Sequence, residues 1–474
     1  MASTDSVPAR SDGLHRKILG ELGLVSLWHS SLDVKLLCAQ RFIRLFAYGG
    51  STLILASYLS ALGISDDRIG LFMTLTLAGD VAISFFLTLF ADAMGRKAVL
   101  ALGSALMVCS GIVFGLFGNY WILLAAAVLG VISPSGNEIG PFRAVEESTL
   151  AHLTAHEHLS DIFVWYSLIG NAGTALGMMV CGWIINLLQT TRGWHYLHAC
   201  QVVFFAYAGV GAVKFLLSIS LSHKVEAVKK DKNGATASQQ QQREADGPET
   251  QPLLGERANS ENNRKKSFFS LFGSSDLISL VVRLFVLFGL DSFASGLASL
   301  SWMTYFFKRK FSLPEGELGS IFFTTSLISA ASVLVASSIA KRIGNVKTMV
   351  FTHLPSAICL ALIPVPSALP AALAFLILRA CSQNMDVAPR SAFLAAALPP
   401  EKRTAIMGAI NVVKTCSQSL GPLITGVMAD HSLFGASFTL AGILKATYDI
   451  GMLISFAGRE PARRKASNQP GESA

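Results

Sequence analysis

In this chain of 474 residues, 52% are hydrophobic and only 14% charged, the reverse of a soluble globular protein, in which charged residues make up roughly a quarter. A water-facing fold is excluded, because about a dozen apolar runs near the ~20 residues needed to cross a bilayer follow one another with short polar breaks. The net charge of +8 speaks for membrane orientation and not for nucleic acid, since the basic residues sit in loops and tails beside the apolar runs rather than on one helix face.

Residues 1–35 carry charges throughout, with no short apolar core before a small-residue cleavage site, and read as an N-terminal tail rather than a signal peptide. Spans follow near 36–62, 68–90, 98–117, 120–141, 161–187 and 197–221. Residues 222–272 are rich in Lys, Gln, Ser and Asn, include the run Gln239 to Gln242, and cannot bury enough apolar surface to fold, so a disordered linker is expected there. A second set of spans lies near 275–304, 317–340, 346–364, 368–389, 404–429 and 433–457, and residues 458–474 form a basic tail. The expected domains are therefore a bundle over 36–221, the linker over 222–272 and a bundle over 273–457. Lys and Arg gather in alternate loops, at Arg96 and Lys97, in the linker, at Lys341, Arg342 and Lys347, at Arg390, Lys402 and Arg403, and in the tail. Positive charge marks the inner face of a membrane, which puts both termini and the linker in the cytoplasm, with Lys308 to Lys310 as the exception.

The halves look like copies. Gly70 to Gly95 and Gly319 to Gly344 share one spacing, each running from the head of a span to a short basic loop. "SGNEIGPFR" (Ser135 to Arg143) matches "QNMDVAPRS" (Gln383 to Ser391), aligning Glu138 with Asp386 and Pro141 with Pro389, and "RFIRLFAYG" matches "RLFVLFGLD" through Arg41 and Arg283. The expected fold is an all-α membrane protein of twelve transmembrane helices in two pseudo-symmetric six-helix bundles, the architecture of many secondary transporters.

At the end of the second span, "ADAMGRKAVL" places Asp92, Gly95, Arg96 and Lys97 in a very short turn. This resembles the loop between helices 2 and 3 of the major facilitator superfamily, Gly-x-x-x-Asp-Arg-x-Gly-Arg-Arg, with Thr88 at the first glycine and Ala93 at the first arginine. The resemblance implies that Asp92 and Arg96, with Gly95 between them, belong to a charge network locking the cytoplasmic side; the alternative is that Arg96 and Lys97 only set topology and Gly95 only makes the turn. Arg143 and Arg390, beside Glu138 and Asp386, are further gate candidates. The stretch from Gln383 to Gly426 resembles helices 10 and 11 of a branch of that superfamily that includes predicted multidrug and small-molecule transporters. Gly170, Gly173, Gly177 and Gly182 in span 5 resemble the glycine-rich fifth helix of the family's antiporters, without its proline; Gly421, Pro422 and Gly426 stand in span 11.

A charge at a bilayer centre costs at least ~2.5 kcal/mol, so each must face a cavity or a partner. Arg41, Arg44, Asp80, Glu138, Arg283, Asp291, Arg379, Asp386 and Lys414 lie within spans, and Tyr48 shares a helical face with Arg41 and Arg44. Helices 1, 4, 7 and 10 line the cavity in the family that the chain resembles, and most of these charges sit there. One of the acids is expected to carry a proton between wet and dry surroundings, while neutralisation of a neighbouring Arg is the alternative for each; for Glu138 and Asp386, read as near the cytoplasmic ends, a gate salt bridge is equally open. Lys445 and Asp449, four apart, read as a self-satisfied pair.

The seven cysteines lie singly in or beside apolar runs and read as packing residues. His152, His156 and His158 are expected to be loop histidines, not a metal site. "ETQPLL" (Glu249 to Leu254) has the form of a dileucine sorting signal and keeps a vacuolar or endosomal membrane open beside the plasma membrane. No phosphate loop occurs, and no nucleophile stands with a base at catalytic spacing, so neither an ATP-driven pump nor an enzyme is expected, and no cofactor. The expected activity is secondary active transport of a small organic molecule, as proton-coupled efflux by a monomer in the lipid bilayer, with import of a nutrient or a sensor without net flux as alternatives. Five basic residues against four acidic in the spans leave the substrate's charge open.

Overall fold

The structure, a computed structural model, describes residues 24–130, 132, 134, 141–155, 157–226, 275–400 and 402–456. A short α1 (Leu24–His29) precedes α2 (Leu32–Ala61), α3 (Asp66–Met94), α4 (Arg96–Leu116), α5 (Tyr120–Gly130), α6 (Pro141–Leu153), α7 (Leu159–Arg192) and α8 (Tyr196–Ile219). The second half repeats the series as α9 (Ser275–Leu297), α10 (Leu300–Phe311), α11 (Glu315–Ile343), α12 (Asn345–Leu362), α13 (Leu369–Ala380), α14 (Val387–Ala397), α15 (Arg403–Asp430) and α16 (Phe434–Phe456). The linker, both tails and "ETQPLL" lie outside the described residues.

Helices are the only economical way to carry this sequence through lipid, because every backbone group must find its partner within its own segment. Five helical stretches among the described residues are long and apolar enough to cross a membrane: Leu32–Ala61, Arg96–Leu116, Asp161–Arg192, Tyr196–Ile219 and Leu277–Phe311. Large apolar side chains such as Leu129, Leu216, Val286 and Ile454 are exposed, the expected outer face of a bundle whose solvent is hydrocarbon.

Span 10 is longer than hydropathy suggests and is broken: it continues through α14 to Ala397, whereas the sequence reading ends it near 389, and in the first half α6 reaches Leu153, where the sequence reading ends the fourth span near 141. The polar string Ser382 to Asp386 ends the apolar window early, yet it forms turns, with Met385 N donating to Ser382 O at 3.2 Å, from which the helix restarts at Asp386. Asp386 is therefore at the middle of a span and not near its end. Span 7 is interrupted at Ala298 and Ser299 before α10.

The repeat is visible in the backbone. Gly95 and Gly344 both have φ of +92°, a conformation that a side chain strongly disfavours, and each joins two helices without an intervening loop. Their partners in the repeat, Gly70 and Gly319, do a different job at the other end of the same helices. A Cβ on Gly70 would come within 2.6 Å of Pro422 O and 2.9 Å of Gly426 Cα, and one on Gly319 within 2.5 Å of Met178 O; a Cβ on Gly182 would overlap Glu315 O. Span 2 thus packs on span 11 through Gly70 and Gly426, and span 8 on span 5 through Gly319 and Gly182, as a pseudo-two-fold pair of contacts between halves.

Polar contacts between the halves gather on the same side. Ser301 Oγ donates to Thr52 O at 3.0 Å, Tyr305 Oη to Ser60 Oγ at 3.0 Å, Leu423 N to Thr74 Oγ1 at 3.0 Å and Trp183 Nε1 to Ser320 Oγ at 2.9 Å. Arg309 pairs with Asp66 at 2.5 Å, and Lys308, paired within its own half with Glu315, has its ammonium 3.7 Å from the Tyr196 ring of the first half. Within the basic run Lys308 to Lys310, the exception in the charge pattern, these two residues thus take part in a latch between the halves.

Filling a glycine contact tests this arrangement. Gly182→Val is expected to push spans 5 and 8 apart at a cost of about 1–3 kcal/mol, speeding amide hydrogen exchange over 315–323, whereas Gly111→Val, packed against Ala208 N within the first half, should speed exchange in α4 and α8 instead. Equal protection patterns in the two variants would contradict the assignment.

Candidate functional site: two buried charge clusters

In the first half the centre of charge is Glu146 on α6, fully buried. Arg44 of α2 pairs with its Oε2 at 2.5 Å, Tyr166 Oη of α7 donates to the same oxygen at 2.5 Å, and Lys214 of α8 stands 3.8 Å from Oε1. Arg41 donates to Tyr166 Oη at 3.2 Å, its guanidinium 4.2 Å above the tyrosine ring, so that a cation–π contact adds to the hydrogen bond. Lys214 also donates to Ser104 Oγ at 3.3 Å on α4. One carboxylate therefore gathers side chains from spans 1, 5 and 6 onto span 4.

The second half builds its counterpart around Asp291 of α9. Lys445 of α16 holds Oδ1 at 2.7 Å, and Arg390 of α14 holds Oδ2 at 3.2 Å. The other arm of Arg390 lies 3.0 Å from Asp386 Oδ2, and Lys445 also donates to Ser295 Oγ at 2.8 Å. Beside this network His353 Nδ1 of α12 sits 3.0 Å from both carboxylate oxygens of Asp449 on α16, with Tyr448 edge-on to the imidazole. Asp291, Asp386, Lys445, His353 and Asp449 are buried in the bundle and Arg390 largely so, the setting in which removing one partner of a charge pair is costly. Spans 1, 4 and 6 in one half and 7, 10 and 12 in the other supply the main charges.

The description Major Facilitator Superfamily matches residues 37–307 and 284–473. The chain belongs to the Major Facilitator Superfamily. A relative in Saccharomyces cerevisiae, "Uncharacterized membrane protein YJR124C", is 35% identical over 446 residues, covering 93% of this chain and 97% of the relative. The quinolone resistance protein NorA of Staphylococcus aureus is 24% identical over 170 residues, 36% of this chain and 40% of NorA. Among solved structures, a bacterial homologue of the human lysosomal transporter Spinster, in an inward-facing and occupied conformation, superposes with a TM-score of 0.68 at 11% identity, covering 91% of this chain and 98% of the other. The fold is that of the superfamily, and the protein is a secondary transporter rather than an enzyme.

Within that superfamily fold the residues singled out in the sequence fall into distinct surroundings. Arg41, Arg44 and Tyr48 are on α2, the first and last buried, with Arg44 on Glu146. Asp80 is fully buried on α3. Asp291, Asp386 and Arg390 meet directly, so Arg390 belongs with the buried acids and not with a gate at the span ends. Lys414 is half-buried on α15, its ammonium 5.9 Å from the Phe288 ring. Arg379 is half-buried in the last turn of α13, with no carboxylate in ion-pair distance among the described residues. Arg283, matched to Arg41 by the repeat, is exposed instead of buried. Glu138 lies outside the described residues, as does the side chain of Asp92. Arg143 is exposed and pairs within its own helix with Glu147 at 2.6 Å.

Lys445 and Asp449 do not satisfy one another. They point to different partners, Asp291 and His353, because two spans present buried charges to the same face of α16. Of the groups not singled out, Lys214 carries a plain signal, a lysine inside the apolar run of span 6. Glu146 lies in "FRAVEES", which hydropathy assigns to a loop.

The turn at Gly95 has a partner of its own. Glu226, just past span 6, accepts from Arg96 N at 2.8 Å and Lys97 N at 3.2 Å, capping the N-terminus of α4, where the helix dipole favours a carboxylate. Lys97 donates to Leu221 O at 2.8 Å. The basic turn is tied to its own half.

Two measurements check these assignments. Asp291→Asn leaves Lys445 and Arg390 short of a counter-charge and is expected to cost about 3 kcal/mol; combined with Lys445→Met, the loss in thermal stability should be smaller than the sum of the single losses, and strict additivity would deny the pair. Glu226→Ala should cost about 1 kcal/mol and raise exchange at 96–99 by roughly fivefold; unchanged exchange there would deny the cap.

Proposed function

We propose that the chain exports a small organic molecule in exchange for protons, by rocking its two bundles about the buried clusters. The observation that carries this reading is Asp291, one carboxylate shared between cations from spans 10 and 12. Protonating it removes the charge that holds both, so proton occupancy and the packing of three spans are linked. Asp80, fully buried on span 2, is the second proton-binding group in this reading.

Orientation follows from the basic turns. With the Gly95 and Gly344 turns and the linker in the cytoplasm, the glycine contacts and the Arg309–Asp66 latch close the outer side, and the state is one that loads from the cytoplasm. Glu226 then holds the basic turn within the first half in this state, and in this reading a gate of Asp92 and Arg96 forms between halves when the outer side opens. The 170-residue similarity to a quinolone resistance protein supports an organic substrate and the outward direction. The protein works as a monomer, and the plasma membrane is the proposed location.

The test is transport of a labelled library of metabolites and toxic compounds into inside-out vesicles with an acid lumen. Accumulation of a compound that collapses with the pH gradient is expected, and Asp291→Asn and Asp80→Asn should each lower it by about tenfold, the equivalent of 1.4 kcal/mol. Accumulation only with an alkaline lumen would reverse the direction, and flux indifferent to the gradient in wild type and both variants would remove the coupling.

A further inference from the structure

The pair His353–Asp449 is not used by the reading above, although it is built like a working site. Both side chains are almost fully enclosed, at 5% and 1% exposure, and they join span 9 to span 12. Nδ1 faces both oxygens of the Asp449 carboxylate at 3.0 Å, so a proton on that nitrogen is held directly between the two side chains. Lys445 lies one helical turn before Asp449 on the same helix, so its ammonium is within reach of two carboxylates, Asp291 across the bundle and Asp449 along the helix. In the structure it is on Asp291, at 2.7 Å.

We propose that His353 is a proton-binding residue whose occupancy decides which carboxylate Lys445 holds. This rests on the proton-coupled reading of the transporter and names a residue through which the proton acts. With the ring protonated, imidazolium and Asp449 carboxylate cancel, and Lys445 is left to Asp291. When His353 gives one proton to solvent, the neutral ring can still donate Nδ1–H to Asp449, but the pair now carries one net negative charge a turn away from Lys445. The ammonium swings to Asp449, Asp291 keeps Arg390 alone, and the ion pair between spans 7 and 12 is lost. One proton is released, and no covalent bond other than N–H changes.

The surrounding charges are consistent with a single moving cation. Span 12 presents Lys445 and Tyr448 beside Asp449, span 7 presents Asp291, and span 10 presents Arg390, which is held on its other side by Asp386. Lys414 on span 11 stacks near Phe288, and Arg379 is at the end of α13. On α12 itself Lys347 and Cys359 are each six residues from the histidine, and Arg342 at the end of α11 is exposed. Arg390 is fixed by two carboxylates and Lys414 lies near a ring, so among these cations Lys445 is the one with two alternative carboxylates.

The two variants that remove one member each should freeze opposite states. Full-length protein in lipid nanodiscs is followed by hydrogen–deuterium exchange at pH 5.5 and 8, corrected for the intrinsic rate. Wild type is expected to lose protection in spans 7 and 12 at the higher pH. His353→Gln should show the high-pH pattern at both values, and Asp449→Asn, which leaves Lys445 only Asp291, the low-pH pattern at both; unchanged protection in α2 and α7 verifies that each variant is folded. A wild-type pH response retained in His353→Gln, a shift of both variants in one direction, or no response in wild type would each overturn the proposal. Vesicle flux separates it from the coupling reading: gradient-driven transport with the switch absent sinks the histidine and spares the coupling, whereas a working switch with gradient-independent flux does the reverse.

Discussion

A charge inside a bilayer has to be answered by a partner or a cavity, and the arrangement of this transporter depends on how that requirement is met. Lipid gives helices no hydrophobic reason to associate with each other, since hydrocarbon is as apolar as leucine. Specific association then comes from close packing and from polar groups that have nowhere else to go. Glu146 and Asp291 act as the two anchors: each draws cations from other spans of its own half. The bundles are therefore tied internally by buried ion pairs, while between bundles the contacts are glycine packing, a set of hydrogen bonds and the more exposed Arg309–Asp66 pair, toward one side. Halves that are firmly tied within and lightly tied across are suited to moving as units.

The break in span 10 sets where its buried charges fall. The turns from Cys381 to Asp386 end α13 and restart the helix with Asp386 as its N-cap, and Arg390, one helical turn further on, reaches both Asp386 and Asp291. Discontinuous helices are a common way for transporters to place polar groups in mid-membrane. The price is an extra set of backbone groups to satisfy, met here by local turns.

Much of the fold is legible in the sequence because hydropathy and the repeat report on lipid and on duplication directly. The matching of Gly70 to Gly95 with Gly319 to Gly344 appears in the structure as identical φ angles at one end and equivalent close contacts at the other. What hydropathy obscures is any polar residue placed on the inside of a span. Glu146 reads as part of a loop, the polar string before Asp386 reads as the end of a helix, and Lys445 with Asp449 reads as a local pair because i,i+4 spacing is visible and the residues opposite are not. His353 had no distinguishing signal: a lone histidine in an apolar run gains meaning only from Asp449, 96 residues away. Arg283 shows the converse limit, since a repeat transmits position but not surroundings, and its counterpart Arg41 is buried where it is exposed.

The central claim is that solute and protons move in opposite directions through one set of buried charges. It is tested most directly by loading right-side-out vesicles with each library compound and a pH-sensitive dye, at equal internal and external pH, and following the internal pH as the compound leaves down its own gradient. The account predicts that one compound acidifies the lumen as it exits and that the acidification is lost in Asp291→Asn. Exit of a compound at unchanged internal pH, or with alkalinisation, would contradict it.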